Sequence, residues 1–294
     1  MLEKDKPLLK LTTDVVFKMY FCDTKNTDLL ASFLTAVLDI EDDSISELEI
    51  LNPTLNKSDI KDRNFIVDVR IKTKIGEEII IEMQVKGHPY FNERIAASNA
   101  RSFSTQLKTG DNYTNIKRVK SIVITGFIVF ENESDYHNIF EYRNEKGLKL
   151  TDFQQIHFLE IPKVPDIANS KKELWLKLFK INREEEAIML AEKFPAMKPA
   201  IVRLKELSAD ELAKQWAYER EEGERIVRTS LKVARDEGRI EGKIEGKIEG
   251  KIEGKIDSVF VLIKSGMDFE NIVKILNLSD YEIDLLNKRM ANSE

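Results

Sequence analysis

The sequence predicts an α/β domain of about 165 residues, followed by a mostly helical C-terminal extension. Residues 65–85, FIVDVRIKTKIGEEIIIEMQV, alternate with period two on both sides of a glycine, which is typical of a β-hairpin. Residues 121–130, SIVITGFIVF, form an apolar run that suits a buried strand. After Pro165 the alternation stops, and KKELWLKLFKI at 171–181 begins an almost continuous helical signal.

The α/β part begins with a helix near Asp14 that Thr12 or Thr13 can cap, since apolar residues follow at helical spacing. The later predicted elements are a helix at 27–37, the hairpin, an amphipathic helix at 91–108, and strands at 121–130 and 156–162.

The extension divides by composition. Residues 166–237 read as helices, and residues 238–257 hold a repeated Gly-Lys-Ile-Glu tetrad. Residues 258–294 read as two or three short helices with turns at Ser265 and Gly266 and at Ser279 and Asp280. We therefore predict four parts: an α/β domain at 1–165, a helical region at 166–237, a repeat helix at 238–257 and a small helical region at 258–294.

Charge and cysteine usage limit the class of protein. The net charge of -6 argues against a wholly basic nucleic-acid coat but leaves room for a local basic groove. Cys22 is the only cysteine, which favours a reducing compartment, and the three histidines are too scattered to predict a zinc site. The N-terminal residues lack an apolar signal segment, and no apolar run is long enough to span a bilayer. We expect a cytoplasmic protein with no membrane partner.

The hairpin places two acids opposite each other. If Lys74, Ile75 and Gly76 form a three-residue loop, Asp68 lies opposite Glu82 on the polar face. Directly opposed like charges destabilise a sheet by up to about 1 kcal/mol unless a cation lies between them. A divalent ion that prefers oxygen ligands fits this position. The other interpretation is a solvated face on which nearby basic side chains neutralise the acids.

The sequence resembles the PD-(D/E)XK nuclease superfamily in its order of a helix with an acid, a strand with Val67 and Asp68, a glycine turn, and Glu82-Met83-Gln84. Within that superfamily it is similar to the recombination-promoting nuclease/putative transposase family. The shared features are TTDVVFK at 12–18, IEMQ at 81–84, Arg94 followed by ARSFSTQLKTGDNY at 100–113, IHFLEIPK at 156–163 and the C-terminal tetrads. The resemblance implies a restriction-endonuclease-like mixed sheet flanked by helices.

By position in the motif, the resemblance assigns Asp68, Glu82 and the backbone carbonyl of Met83 to a Mg²⁺ or Mn²⁺ ion. Asp14 would complete the acidic cluster, although an acid in a first helical turn also interacts favourably with the helix dipole whatever the function. Gln84 stands where the superfamily usually has lysine, and its amide can orient a water molecule or donate to a phosphate oxygen.

Two lysines are candidates for the missing charge: Lys86 on the same strand face and Lys18 one turn after Asp14, and both are also compatible with ordinary surface positions. The stretch on and after the next helix offers groups that would contact the DNA backbone, although a solvated helix face is the other interpretation. The predicted DNA-binding residues are Arg94, Arg101, Gln106, Lys108 and Tyr113.

The tetrads give each residue type its own stripe on a helix, with an isoleucine ridge opposite a glycine groove. Lysine and glutamate flank them, and no lysine and glutamate have the helpful i,i+4 spacing within one helix. The pattern therefore predicts a homo-oligomer formed through the C-terminal helical half, in which a ridge enters a neighbour's groove. A flexible linker produced by repeat expansion is the other interpretation.

The function that this sequence predicts is a metal-dependent DNA endonuclease associated with recombination, mobile elements or defence. A catalytically weak or silent DNA-binding and assembly protein that retains the nuclease fold is a second hypothesis. A helical interaction scaffold that carries a degenerate domain is a third.

Overall fold

The computed structural model describes residues 6–24, 27–40, 45, 48–52 and 68–291, with Asp68 described by its backbone alone. Residues 65–67 of the predicted first hairpin strand lie outside this part of the chain.

The elements of the sheet region include three helices and several strands. They are α1 (Asp14–Phe21), α2 (Thr27–Leu38), β1 (Leu48–Ile50), β2 (Asp68–Thr73), β3 (Glu78–Gln84), α3 (Phe91–Ser104), β4 (Val119–Thr125), β5 (His137–Arg143) and β6 (Lys149–Glu160).

Helices joined by short connections follow between residues 171 and 291. They are α4 (Lys171–Leu178), α5 (Glu184–Lys193), α6 (Lys198–Ala209), α7 (Glu211–Lys264), α8 (Phe269–Leu276) and α9 (Asp280–Ala291). In the part of the chain that the structure describes, no helix is both long and apolar enough to cross a bilayer.

The described strands form one mixed six-stranded sheet in the order β1-β2-β3-β4-β6-β5. The pairs β1/β2, β2/β3 and β5/β6 are antiparallel, whereas β3/β4 and β4/β6 are parallel. Helix α3 lies between the parallel strands β3 and β4 in the chain, because parallel neighbours need a crossover connection. The predicted mixed sheet flanked by helices is confirmed.

The main hydrophobic core lies on the sheet face that α1 contacts. Alternate residues of the hairpin, such as Val69 and Ile81, point into it and are fully buried. The aromatic rings of Phe21, Phe33 and Trp175 meet there, with Phe33 and Trp175 edge to face at 5.7 Å. This core therefore joins the first two helices to helix α4, which follows the predicted α/β domain.

A smaller core lies on the opposite face under α3. It is formed by Phe91 and Ile95 of the helix and by Val123 and Phe158 of the neighbouring parallel strands β4 and β6. These contacts fix the rotation of α3 about its own axis, and so decide which of its polar side chains face β3.

The chain forms two compact units, 1–224 and 225–294, and α7 runs from the first into the second. The main core includes Leu204 and Ala217, so the composition change at residue 165 does not coincide with the end of the first unit. The second unit has its own small core around Ile256, Val259, Ile272 and Leu286.

Some strand boundaries in the structure differ from those predicted from sequence, and tertiary contacts account for these differences. The predicted strand at 121–130 ends at Thr125, because the buried Glu160 carboxylate accepts hydrogen bonds from the N–H groups of Val129 and Phe130. The predicted strand at 156–162 begins earlier, at Lys149, and ends at Glu160. Strand β5 is absent from the sequence prediction, and its exposed and partly buried residues do not alternate with period two.

Candidate active site

The hairpin register agrees with the prediction. Asp68 is the Cα partner of Glu82, and Thr73 N–H donates to the Glu77 carbonyl at 2.9 Å. Gly76 has φ of +86°, in the left-handed region that glycine tolerates, which allows the three-residue loop. The local turn chemistry therefore sets two acidic residues at the same level of neighbouring strands.

Glu82 is buried on the hairpin's polar face, next to one hydrogen-bond donor and one cation. Its Oε1 accepts a hydrogen bond from Gln84 Nε2 at 3.0 Å and forms an ion pair with Arg94, whose Nη2 lies 2.8 Å away. The described residues offer no hydrogen bond or ion pair to its Oε2. The sequence analysis expected the Gln84 amide to orient a water molecule or donate to a phosphate oxygen, and in the structure it donates to the Glu82 carboxylate.

Arg94 reaches Glu82 from helix α3. The helix begins after Tyr90, which adopts a left-handed conformation, and Phe91 and Ile95 anchor it to the sheet. The Arg94 guanidinium also lies 5.5 Å from the centre of the Phe91 ring. A residue predicted to bind DNA thus lies, in this structure, on the carboxylate predicted to bind metal.

Asp14 is held by Arg220, a residue that the sequence analysis did not identify. Arg220 Nε donates to both carboxylate oxygens, at 3.1 and 3.0 Å, and its Nη2 lies 2.6 Å from Oδ2. Burial raises the pKa of the Asp14 carboxyl, and the Arg220 guanidinium opposes this shift. The two residues are 206 positions apart, so no local signal in the sequence joins them.

The two lysines considered for the missing charge have other surroundings. Lys86 Nζ lies 2.8 Å from Glu224 on α7, and both side chains are partly exposed. Lys18 is buried and borders a cavity of about 480 Å³ that Arg203, Asp210 and Trp216 also line. No described contact places either ammonium group at Glu82.

The remaining predicted DNA-binding residues lie on α3 and the following loop. Arg101, Lys108 and Tyr113 are exposed, whereas Gln106 is half-buried and its side chain accepts from the N–H of Lys117 at 2.8 Å. Arg118, which lies beyond them, is committed to Glu77 and Asp152. The exposed members of the set are available to a backbone phosphate.

Among the described residues, no three His, Cys, Asp or Glu side chains lie close enough together to hold a metal ion by themselves. The site still suits a hard divalent cation, because such ions are commonly held by one or two carboxylates plus substrate oxygens. Glu82 Oε2 is open among the described residues, and Asp68 pairs with Glu82 through the backbone.

A second polar cluster lies at the other edge of the sheet. His137 Nε2 is 3.0 Å from His157 Nδ1, and Lys172 Nζ is 3.0 Å from His137 Nδ1. Burial lowers the pKa of His157 to about 3 and that of His137 to about 4, and their neighbouring cations add to the effect. Both imidazoles are therefore neutral at pH 7, and the scattered sequence positions gave no signal of the pairing.

The comparison with protein families gives one match. A model of the family described as PD-(D/E)XK nuclease family transposase matches residues 11–231, which includes the hairpin, α3 and Arg220. No curated protein and no solved structure matches the chain significantly.

Proposed function

Because this chain belongs to the PD-(D/E)XK nuclease family transposases, we propose that it is a metal-dependent DNA endonuclease, a hydrolase of phosphodiester bonds. The observation that carries the proposal is the direct pairing of Asp68 with Glu82 across the hairpin. The setting that we propose is recombination, a mobile element or defence.

The proposed ion is Mg²⁺ or Mn²⁺, held by Asp68, Glu82 and the carbonyl of Met83. When bound, it supplies Lewis-acid chemistry that polarises the scissile phosphate and activates a water molecule. Glu82 would contribute Oε2, which has no partner among the described residues, while the Gln84 hydrogen bond and the Arg94 ion pair hold Oε1. The Met83 side chain is buried in the main core, so only its backbone is offered to the site.

Gln84 and Arg94 are proposed to act on the substrate. The Gln84 amide, fixed beside Glu82, would orient the water molecule or donate to a phosphate oxygen. The Arg94 guanidinium would contribute positive charge to the developing negative charge of the phosphate. Asp14 is proposed as a further acid of the site, positioned by Arg220.

DNA would approach along α3 and the loop that follows it. Arg101, Lys108 and Tyr113 are exposed there and would contact the sugar-phosphate backbone without reading sequence. Gln106 would contribute by fixing the loop through Lys117 N–H.

The test is plasmid cleavage with Mg²⁺, with Mn²⁺ and with EDTA. We expect metal-dependent cleavage by the wild type and loss of at least about a hundredfold in rate for Glu82→Gln, which keeps the size of the side chain. Glu78→Gln is the matched control, since Glu78 lies on the same strand face but pairs with Lys72. Undiminished cleavage by Glu82→Gln would remove Glu82 from the site.

The ion pair with Arg94 supports a second candidate function. An arginine on the metal-binding carboxylate, together with glutamine where lysine is usual, would suit a catalytically weak or inactive DNA-binding and assembly protein. That protein would bind DNA equally well in EDTA and cleave none of it with either metal.

We also propose that the chain forms a homo-oligomer through its C-terminal helical half. The compartment that we propose is the cytoplasm, because a single cysteine suits reducing conditions. The four parts predicted from composition remain our proposal for how these tasks divide along the chain.

A further inference from the structure

One segment of α7 is surrounded by solvent. Every residue from 231 to 250 is exposed, and the isoleucines Ile240, Ile244 and Ile248 are 59%, 55% and 54% exposed. From residue 238 onward a glycine occupies every fourth position, and each costs about 1 kcal/mol in a helix relative to alanine. An exposed helix of this composition gains little from its own contacts, so a partner that covers the isoleucines would stabilise it.

Further along the chain, the later isoleucines of the same repeat are wholly or partly buried by other side chains of the second unit. Ile256 is only 1% exposed and packs in the core of the second unit, and Ile252 is partly buried against it. Beside them Lys255 Nζ lies 2.9 Å from the carboxylate of Glu282 on α9. The buried isoleucines thus show what kind of surface would suit the exposed ones. That surface is apolar and carries an acidic side chain next to the lysines of the repeat.

The three exposed isoleucines share one face. At 100° per residue they span about 80°, which is within the width of about 100° of an ordinary apolar stripe. About 60° to one side of Ile244 lies Lys247, and about 60° to the other side lies Glu241. The face is therefore an apolar ridge with a basic flank and an acidic flank.

A second copy of this segment supplies the complementary surface. If two helices face each other through their isoleucines and run parallel about a two-fold axis, the lysine flank of each meets the glutamate flank of the other. If they run antiparallel, lysine meets lysine and glutamate meets glutamate, which is unfavourable. A different packing would place the isoleucine ridge of one helix on the glycine groove of the other. In that packing lysine meets glutamate only when the two helices run antiparallel, and the isoleucine ridge of the second helix remains exposed.

We propose that residues 237–251 of two copies of this chain form a parallel two-fold helix pair through Ile240, Ile244 and Ile248. The contact is short, because a four-residue repeat drifts about 40° per tetrad and carries the later isoleucines away from the axis. The inference rests on the proposed oligomer and is independent of the proposed nuclease chemistry.

Disulfide trapping in the full-length chain tests the orientation. In a Cys22→Ser background, Ile240→Cys alone and Ile248→Cys alone should each give a cross-linked dimer under mild oxidation. Gly242→Cys, on the opposite side of the helix, is the control and should stay uncross-linked. Cross-links that form only when the Ile240→Cys and Ile248→Cys chains are mixed would show antiparallel packing and overturn the proposal.

Light scattering tests the ridge itself, without DNA or metal. Ile244→Asp should raise the dissociation constant of the dimer at least about tenfold, because each dimer then buries two charges in place of two isoleucines. Gly246→Ala, which leaves the ridge intact, should not raise it. A wild-type chain that is monomeric at micromolar concentration, or a dimer unaffected by Ile244→Asp, overturns the proposal whatever the result of the cleavage assay.

Discussion

The pair formed by Asp14 and Arg220 allows a quantitative test of how the helical extension stabilises the first unit. Both side chains are nearly buried, at 12% and 11% exposure, and the guanidinium contacts both carboxylate oxygens. Removing one partner of such a pair leaves an uncompensated buried charge, which costs about 3–5 kcal/mol. We therefore expect Arg220→Met to lower the free energy of unfolding of the first unit by this amount at pH 7.

The double variant Asp14→Leu/Arg220→Met separates charge from packing. It removes both charges of the pair, so it should recover most of the stability that Arg220→Met loses, and the two single effects should be strongly non-additive. Arg228→Met is the control, because Arg228 is an exposed arginine two turns further along the same helix.

The pH dependence has a definite sign. Burial raises the pKa of Asp14 above 3.8, and the loss of Arg220 removes a group that opposes this shift, so the pKa rises further. Protonation of Asp14 then removes the buried charge. The deficit of Arg220→Met should accordingly shrink as pH falls through the folded-state pKa and return as pH rises.

Urea unfolding followed by tryptophan fluorescence measures these effects. Trp175 and Trp216 are the only tryptophans and both lie in the first unit, so the signal reports on that unit. An Arg220→Met variant within about 1 kcal/mol of the wild type, or additive single effects, would refute the assignment of a buried ion pair.

Three further predictions concern single side chains. Arg94→Gln should strengthen Mg²⁺ binding in calorimetry, because it removes a competing cation from Glu82; an unchanged Mg²⁺ affinity would contradict this prediction. Since the Arg94 side chain is 34% exposed, the variant should lose only about 1–2 kcal/mol of stability. Gln84→Lys should preserve or raise plasmid cleavage and Gln84→Leu should lower it, whereas no change in either would exclude Gln84 from the site. Because the folded-state pKa of His157 is about 3, this group should lower the wild-type free energy of unfolding by about 1.4 kcal/mol for each pH unit from pH 6.5 down to pH 3. His157→Gln should remove that slope in urea titrations. An equal slope in the variant would refute neutral burial of the His157 pair with His137.

The hairpin could be predicted from the sequence because its determinants are local. Side-chain alternation assigns the faces, and Gly76 fixes the loop length, so the pairing of Asp68 with Glu82 follows within a few residues of chain. The start of α1 at Asp14 and the extent of α2 agree with the prediction for the same reason, since helical spacing is a short-range property. The expected capping hydrogen bond is not formed, because Thr13 occupies the N-cap position of α1 without a hydrogen bond from its side chain.

The contacts that join distant segments could not be predicted in this way. Arg220 meets Asp14 only because the main core packs α6 and the start of α7 against α1. Tertiary packing also explains why the apolar run after Thr125 is not a strand. Two backbone N–H groups of this run donate hydrogen bonds to the buried Glu160 carboxylate. An alternating pattern of apolar residues in the sequence cannot reveal such a contact.

The position of Arg94 bears on how a site with glutamine in place of lysine could function. A lysine two residues after the glutamate would bring a positive charge along the strand, and Gln84 brings only an amide. Helix α3 brings a guanidinium to the same carboxylate instead, at 2.8 Å, and the packing of Phe91 and Ile95 on the sheet holds it there. An arginine forms bidentate contacts with phosphate more readily than a lysine does. The charge that the strand lacks therefore reaches Glu82 from a second element. Under the proposed function, removal of Arg94 should favour binding of the metal and weaken binding of DNA.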